Sequence, residues 1–221
     1  MTASDPYGRR WPVRPLSLEL GRLSIRLECV KTFDDVLDSF AESHPDNTEM
    51  IPYFADLWPS AMALSRHLQT RFMSLADLHV MELGCGLGLP AITAAMMGGI
   101  VTAGDFHPDN LPYLRANADL NGLAHFTPVL MDWRAPDTRQ PYDLILGSDL
   151  LYEQAQVETL TACILKLLRP GGTLLLADPV RQQLQSAFDG LVVCGLDPEL
   201  LIVDDIAIIE GHRALTLSRH S

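Results

Sequence analysis

The sequence predicts an α/β fold in which one doubly wound, mostly parallel sheet of seven strands carries helices on both faces, with an N-terminal appendage. Three observations predict it. The 221 residues are 48% hydrophobic and 20% charged, which is enough apolar material for the core of one large domain. Segments typical of strands alternate with helical segments through most of the chain. Three alternate glycines follow the first strand of that series.

The first part of the chain differs from the rest and is predicted to be the appendage, residues 1–50, ahead of a main domain at 51–221. Apolar and polar residues alternate over 16–20 and 23–28 on either side of Gly21, which indicates a β-hairpin. The other elements predicted here are a short acidic helix at 34–43, a turn at 43–47 and a helix at 58–72.

The main domain alternates strands with helices, which favours right-handed crossovers and a parallel sheet. The predicted strands lie at 78–83, 100–105, 126–131, 142–147, 173–177, 200–203 and 214–217. The predicted helices lie at 89–97, 108–120, 154–168 and 181–193. Pro170-Gly171-Gly172 is expected to form a turn before the fifth strand. No helical pattern separates the last two strands, so we expect them to pair antiparallel.

Charge and cysteine content limit the classes of partner and site. Sixteen Lys and Arg against 28 Asp and Glu give a net charge of −12, which disfavours binding to a nucleic-acid backbone. The four cysteines are scattered and the histidines have no zinc-ligand spacing, so neither a disulfide framework nor a metal site is predicted. The sequence shows no apolar stretch typical of a signal peptide or a spanning helix. We therefore predict a soluble, cytoplasmic protein with no membrane segment.

The most informative segment is the loop Gly84-Cys85-Gly86-Leu87-Gly88, which follows a strand and opens a helix. Glycine at these positions lets the backbone turn tightly and approach a ligand at the carboxyl end of the sheet. A dinucleotide-binding loop would have its third glycine at Leu89, so the spacing G-x-G-x-G favours a different cofactor.

With Glu82 two residues ahead of Gly84, the loop resembles motif I of the class I S-adenosylmethionine (SAM) methyltransferases. The resemblance implies that Glu82, Gly84, Gly86 and Gly88 surround the amino-acid half of SAM. It also implies that Asp105, at the end of the next strand, accepts hydrogen bonds from both ribose hydroxyls. The alternative for Asp105 is an N-cap for the helix that begins near residue 108.

Asp132 and Trp133 end the third strand of the series. In the methyltransferase fold this position implies a carboxylate at the adenine edge and an apolar cover for the ring. The alternatives are an ordinary turn for Asp132 and a core or rim aromatic for Trp133.

Two further segments resemble methyltransferase family 16, a group of seven-β-strand protein lysine methyltransferases. Asp149 and Tyr152 have the D-x-x-Y spacing after the fourth strand, and Trp58-Pro59 matches the W-P segment ahead of the sheet. The Asn/Asp-Pro-Pro-Tyr/Phe run of adenine and glutamine methyltransferases does not occur. The resemblance covers residues 53–176, and it implies that Trp58 lies over the cofactor.

The D-x-x-Y pair suits an amine acceptor. The Asp149 carboxylate can orient an N–H group, and the Tyr152 phenol can accept another or form a wall. A lysine ammonium has no lone pair, and removing its proton at pH 7 costs about 4.6 kcal/mol. The sulfonium charge of SAM and desolvation both reduce that cost. The alternative is that Asp149 caps the helix near residue 154 and Tyr152 packs.

These observations together predict SAM-dependent N-methylation of a protein lysine, with Asp149 and Tyr152 as catalytic residues. The alternatives are an N-methyltransferase for a small amine, indicated by an enclosed pocket over Tyr152, and a SAM-binding module without catalysis.

Overall fold

The computed structural model describes residues 5–43, 50–137, 139–152 and 154–215. It contains a two-stranded hairpin and a seven-stranded sheet. The hairpin consists of β1 (Val13–Leu20) and β2 (Leu23–Val30). The strands of the sheet are β3 (His79–Leu83), β4 (Ile100–Asp105), β5 (Phe126–Leu130), β6 (Tyr142–Ser148), β7 (Leu168–Pro179), β8 (Leu196–Val203) and β9 (Ile206–Arg213).

The sheet has the strand order β5-β4-β3-β6-β7-β9-β8. Strands β3 to β7 are parallel, and β9 runs antiparallel to both of its neighbours. Within this sheet the chain passes first through β3, proceeds outward to β4 and β5, and then crosses to β6 on the other side of β3. Ligands of open α/β sheets bind at such a reversal, beyond the carboxyl ends of the strands. The predicted fold class is therefore confirmed.

Helices cover both faces of the sheet. They are α1 (Phe33–Ser43), α2 (Pro59–Arg71), α3 (Leu89–Met96), α4 (Leu111–Leu120), α5 (Gln154–Leu167) and α6 (Gln183–Val193), with short 3-10 turns at Tyr53–Ala55 and Pro108–Asn110. Successive residues of β6 pack in different cores, because neighbouring side chains of a strand point to opposite faces of the sheet. Ile145 packs in the core that contains α5 and α6, whereas Leu144 and Leu146 pack with α2 and α3. Among the helices described, none combines the length and apolar character that a membrane crossing requires.

The N-terminal hairpin packs against the main sheet's helices. Leu20, Ile25 and Leu27 are buried in one cluster with Ala61 of α2 and Leu89 of α3. The hairpin and the acidic helix are confirmed, whereas most of the predicted turn at 43–47 lies outside the described residues. The division into an appendage and a main domain at residue 50 stays a prediction.

The prediction for the last strand is wrong. Strand β9 occupies Ile206–Arg213, immediately after a two-residue turn, and of the predicted span 214–217 the described residues 214 and 215 lie outside it. Asp204 and Asp205 form that turn with φ angles of 49° and 64°. Aspartate tolerates this left-handed conformation, and the Asp204-Asp205 pair is typical of a solvated turn, but without the usual glycine it does not indicate a two-residue hairpin. The expected antiparallel pairing of the last two strands is confirmed.

Pro170-Gly171-Gly172 does not end an element, as the sequence indicated, but lies inside β7. Tyr142 pairs with Leu168, and Leu144 pairs with Thr173, so the intervening residues bulge from the ladder. A bulge uses the same residue types as a turn, which explains the error.

Candidate active site

A cleft of about 850 Å³ opens at the carboxyl ends of the parallel strands. It brings together side chains and loops that are far apart in the sequence. The predicted site residues that line it are Trp58, Gly84, Gly86, Asp105, Asp132, Trp133, Asp149 and Tyr152. Glu82 and Gly88 are not part of its wall.

The glycine loop has a backbone that other residues adopt rarely, since the φ angles of Gly84, Gly86 and Gly88 are 57°, 51° and 81°. A Cβ at Gly84 would lie 2.5 Å from Cδ2 of Leu150, so a side chain there has no room. A Cβ at Gly86 would have its nearest neighbour, the backbone of Phe54, 3.9 Å away. The loop is therefore tightly packed at Gly84, whereas a side chain at Gly86 would make only ordinary van der Waals contact.

Glu82 lies behind the loop. Its carboxylate is fully buried, and Oε2 accepts a hydrogen bond of 2.8 Å from the Ala91 N–H in the first turn of α3. Burial raises the pKa of Glu82 well above its usual range. Within the described part of the chain, no hydrogen-bond partner reaches Oε1. Glu82 thus fixes the start of α3 to the end of β3, and its contact with a cofactor stays a prediction.

Asp105 ends β4 and holds the glycine loop from the opposite side. Its Oδ2 accepts from the Gly86 N–H at 2.9 Å and its Oδ1 accepts from the His107 N–H at 3.0 Å. Burial raises the pKa of Asp105, and these backbone donors oppose that rise. Hydrogen bonds from the Asn110 side chain and the Phe106 N–H oppose the rise as well, so Asp105 is bound by the residues around it, and its contact with a ribose stays a prediction.

Sequence reasoning missed His107, which also lines the cleft. Its Nδ1 accepts from the Asp109 N–H at 3.1 Å and caps the 3-10 turn that precedes α4. The alternative in which Asp105 is the cap is therefore wrong. The ring's Nε2 lies 3.2 Å from the Met50 carbonyl oxygen, to which it donates. His107 is thereby the neutral tautomer, and burial lowers its pKa. The position of His107 directly before Pro108 indicates this cap in the sequence, because proline is common at the first position of a helix.

Asp132 and Trp133 also line the cleft. Asp132 accepts from Arg134, with Nε 2.8 Å from Oδ1 and Nη2 2.8 Å from Oδ2, and this pair lowers the pKa of Asp132. The Arg134 guanidinium lies 5.1 Å above the Phe106 ring. Trp133 packs against the core beside α5 while facing the cleft, so it is both a core and a rim residue.

Trp58 forms the aromatic rim together with the N-terminal part of the chain. Its Nε1 donates to the Tyr53 carbonyl oxygen at 2.9 Å, and its ring lies 6.1 Å from the Phe33 ring at 90°. Phe33 begins α1, so the first fifty residues help to position a predicted cofactor residue.

Asp149 follows β6 with a φ angle of 57°, in the left-handed region that aspartate adopts more readily than most residues other than glycine. Its N–H donates to the Ala177 carbonyl oxygen at 2.9 Å, which fixes the turn to β7. Its Oδ1 accepts from Arg181 Nη2 at 3.0 Å. Its Oδ2 is buried, and no partner for it exists among the described residues. Tyr152 lies at the mouth of the same cleft with 45% of its surface exposed.

Arg181 and Asp178 were also missed. Arg181 Nη1 donates to Asp178 Oδ1 at 2.7 Å, so one guanidinium bridges Asp178 and Asp149. The second oxygen of Asp178 accepts from the Leu151 N–H at 2.9 Å. Burial raises the pKa of Asp178 to about 6. Asp178 lies near the end of β7, a position that indicates a site residue in this kind of sheet. Arg181 is the first residue of a predicted helix, and that position gives no such indication.

The pKa of Asp178 predicts a pH-dependent stability. An acid whose pKa is higher in the folded protein binds its proton more tightly there, so protonation stabilises the fold. That stabilisation, about 3 kcal/mol, is complete below a pH of about 4 and is lost as the pH rises through about 6. Urea unfolding across this range should show wild type losing stability relative to Asp178→Asn. A difference that is constant with pH contradicts the assignment.

Other chemistries have little support in the described residues. No cluster of three or more His, Cys, Asp or Glu with metal-binding geometry occurs in ranges 5–43, 50–137, 139–152 and 154–215. The four cysteines are free thiols, and Cys194 is the exposed one.

Comparison with known proteins gives one family and one fold. A family model described as lysine methyltransferase matches residues 49–192. The electron transfer flavoprotein beta subunit lysine methyltransferase of Danio rerio is 34% identical over 136 residues, which are 61% of this chain and 52% of that protein. The histone-arginine methyltransferase METTL23 of Xenopus laevis is 34% identical over 108 residues, 46% of each protein. The chain thus spans about half the length of the curated relatives it matches.

Among solved structures, the T. thermophilus 16S rRNA N2 G1207 methyltransferase (RsmC), in complex with AdoMet and guanosine, superimposes with a TM-score of 0.68 at 15% identity. The match covers 91% of this chain and 50% of that one. At this identity the similarity establishes the fold alone.

Proposed function

This chain belongs to the lysine methyltransferase family, and from that membership we propose that it transfers the methyl group of SAM to a lysine side chain of a protein. One observation carries the proposal. The Asp149 carboxylate and the Tyr152 phenol share a single cleft with the glycine loop and Asp105. The residues proposed to bind SAM and the residues proposed to bind the acceptor amine therefore line the same cleft.

The cleft fits SAM on several grounds. Its volume, about 850 Å³, is in the range of small-molecule sites. The Gly86 backbone lines the cleft and gives a surface for the amino-acid half, and the Asp105 carboxylate lines it as the proposed acceptor for the ribose hydroxyls. Trp133 and Phe106 give apolar surface near Asp132 for the adenine ring. Trp58 is the proposed cover of the cofactor at the rim.

When bound, SAM supplies a methyl group on a positively charged sulfur, which a neutral amine takes up with its lone pair. The protein's part is to orient that amine. Asp149 Oδ2, buried and facing no described donor, can accept one amine N–H, and the Tyr152 hydroxyl limits the direction of approach. Holding a nucleophile in line with its target accounts for most of the rate, and the reaction needs no separate general base.

The mouth of the cleft favours a protein acceptor over a small amine. Tyr152 is 45% exposed and Tyr53 is 48% exposed, so the described residues form an open rim and not an enclosed pocket. The curated relatives are named for lysine and for arginine acceptors, and the family model for lysine. We propose lysine, in a basic protein segment that complements the net charge of −12, and not nucleic acid. The free cysteines support the cytoplasm as the proposed location.

The test is label transfer from tritiated SAM to an extract of a strain that lacks this protein. We expect a labelled protein band with wild type and none with Asp149→Asn, and methyl-lysine after hydrolysis of the band. A labelled small molecule without a labelled band supports the alternative acceptor class. Methyl-arginine in the band overturns the lysine assignment, and no label in any fraction supports a SAM-binding module.

Salt should slow the reaction with a protein acceptor. Attraction between an acidic enzyme and a basic segment is screened over a Debye length of about 8 Å at physiological ionic strength. Initial rates of protein labelling should therefore fall several-fold between low and physiological salt. The control is SAM affinity over the same range, which separates screening from loss of the fold. Rates that are constant with salt would contradict electrostatic recognition.

A further inference from the structure

Three charged side chains meet at the acceptor end of the cleft. Arg181 donates to Asp149 at 3.0 Å and to Asp178 at 2.7 Å. The side chains of Asp149 and Asp178 are 10% and 2% exposed, and that of Arg181 is 30% exposed. Of the three, Asp149 and Arg181 face the cleft.

An unpaired Asp149 would work against methylation of an amine. An opposite charge within about 4–6 Å favours the charged form of a group and shifts its pKa by roughly 1–3 units. A bare carboxylate would therefore hold lysine as the ammonium, which has no lone pair to accept a methyl group. The site needs the hydrogen-bonding geometry of a carboxylate without its full charge.

We propose that Arg181 is a positioning residue that offsets the charge of Asp149, so that Asp149 Oδ2 accepts a hydrogen bond from a neutral acceptor amine. The inference rests on the proposed function. Arg181 occupies only Oδ1, and Oδ2 stays buried without a described partner. One guanidinium thus reduces the negative charge at the carboxylate and leaves the second oxygen for the acceptor.

The other titratable or charged groups around the cleft do not replace Arg181 in this role. They are Asp178, Asp105, His107, Asp132, Arg134 and Tyr152. Arg134 is bound to Asp132, and backbone N–H groups bind both oxygens of Asp105. Burial raises the pKa of Asp178 to about 6, so near neutral pH this carboxyl is mostly ionised and shares the charge of Arg181 with Asp149, and the removal of Arg181 leaves two carboxylates without a counter-ion.

The probe is sinefungin, a SAM analogue with an amine in place of the sulfur-bound methyl group. S-adenosylhomocysteine, which carries no charge at that place, is the reference. The ratio of their dissociation constants, measured by calorimetry at pH 7, reports how strongly the site favours a cation. We expect Arg181→Gln to increase the preference for sinefungin by about tenfold or more, with S-adenosylhomocysteine affinity within a few-fold of wild type.

Matched variants separate charge from structure. Arg181→Lys keeps the cation and should keep the wild-type ratio within a few-fold. Arg169→Gln removes an arginine that pairs with Asp143 at the opposite end of β6, and it should change neither affinity. The double variant Asp149→Asn with Arg181→Gln removes both charges, so its ratio should return to the wild-type value even if Arg181→Gln alone fails to fold.

An unchanged ratio in folded Arg181→Gln, or a double variant that differs from wild type by tenfold, overturns the proposal. If wild type binds neither sinefungin nor S-adenosylhomocysteine, the proposed function itself fails, and the inference fails with it. These results are distinguishable, because only the second affects the reference ligand in wild type.

Discussion

Replacing Asp149 by alanine should reduce single-turnover methyl transfer by about a hundredfold or more, while SAM affinity stays within a few-fold. Asp149 directly follows β6, where we propose that the acceptor nitrogen meets the methyl group, and Asp105 ends β4, where we propose the ribose site. Loss of an interaction used mainly in the transition state lowers kcat without lowering cofactor affinity. Calorimetry with SAM and rapid-quench labelling measure the two quantities separately.

Two variants control this result. Tyr152→Phe deletes one hydroxyl and should lower the rate less. Asp143→Ala removes a buried carboxylate that accepts from the His79 N–H at the opposite end of β6, so it costs stability without touching the cleft. If Asp149 only supported the fold, Asp149→Ala would resemble Asp143→Ala, with lower stability and normal turnover per folded molecule. That outcome would remove Asp149 from the reaction.

Asp105→Ala should weaken SAM binding by roughly tenfold to a hundredfold, since hydrogen bonds to a charged group contribute about 1.5–3 kcal/mol. The variant loses the ribose acceptor, and it also releases the Gly86 and His107 N–H groups that Asp105 holds. The Gly86 backbone then loses one of the hydrogen bonds that hold it in place. Titration of SAM by calorimetry measures the loss.

Asp109→Ala is the matched control, because Asp109 is an acidic residue on the adjoining 3-10 turn whose side chain pairs with Arg10 at the surface. It should bind SAM as wild type does. Wild-type affinity in a folded Asp105→Ala protein would show that the ribose contact is made elsewhere.

Much of the fold could be predicted because buried parallel strands have a strong local signal. Strand β4 has the predicted bounds, Ile100–Asp105, since an apolar run there ends at a carboxylate. The second strand of the last hairpin was misplaced, because a turn of Asp204 and Asp205 without glycine does not indicate that the next strand begins directly after it. Whether an Asp-Asp pair turns the chain depends on the strands that pair across it.

The candidate site was predictable where a residue ends a strand and less so where contacts are tertiary. Asp105 ends β4 and Asp149 directly follows β6, and the structure brings both to one cleft. The contact of Arg181 with Asp149 was not predicted, because the two residues are 32 positions apart and nothing in the sequence around Arg181 indicates that contact. Glu82 matches the motif, yet its described bond is to Ala91, which spacing alone could not reveal.

Calorimetric titration of the wild-type protein with SAM and with NAD tests the central claim most directly. The G-x-G-x-G loop, the Asp105 carboxylate and the cleft beside them predict that SAM binds at one site per chain and that NAD gives no heat of binding. Stabilisation against thermal unfolding by SAM, and not by NAD, should accompany the binding. Binding of NAD without binding of SAM would contradict the account.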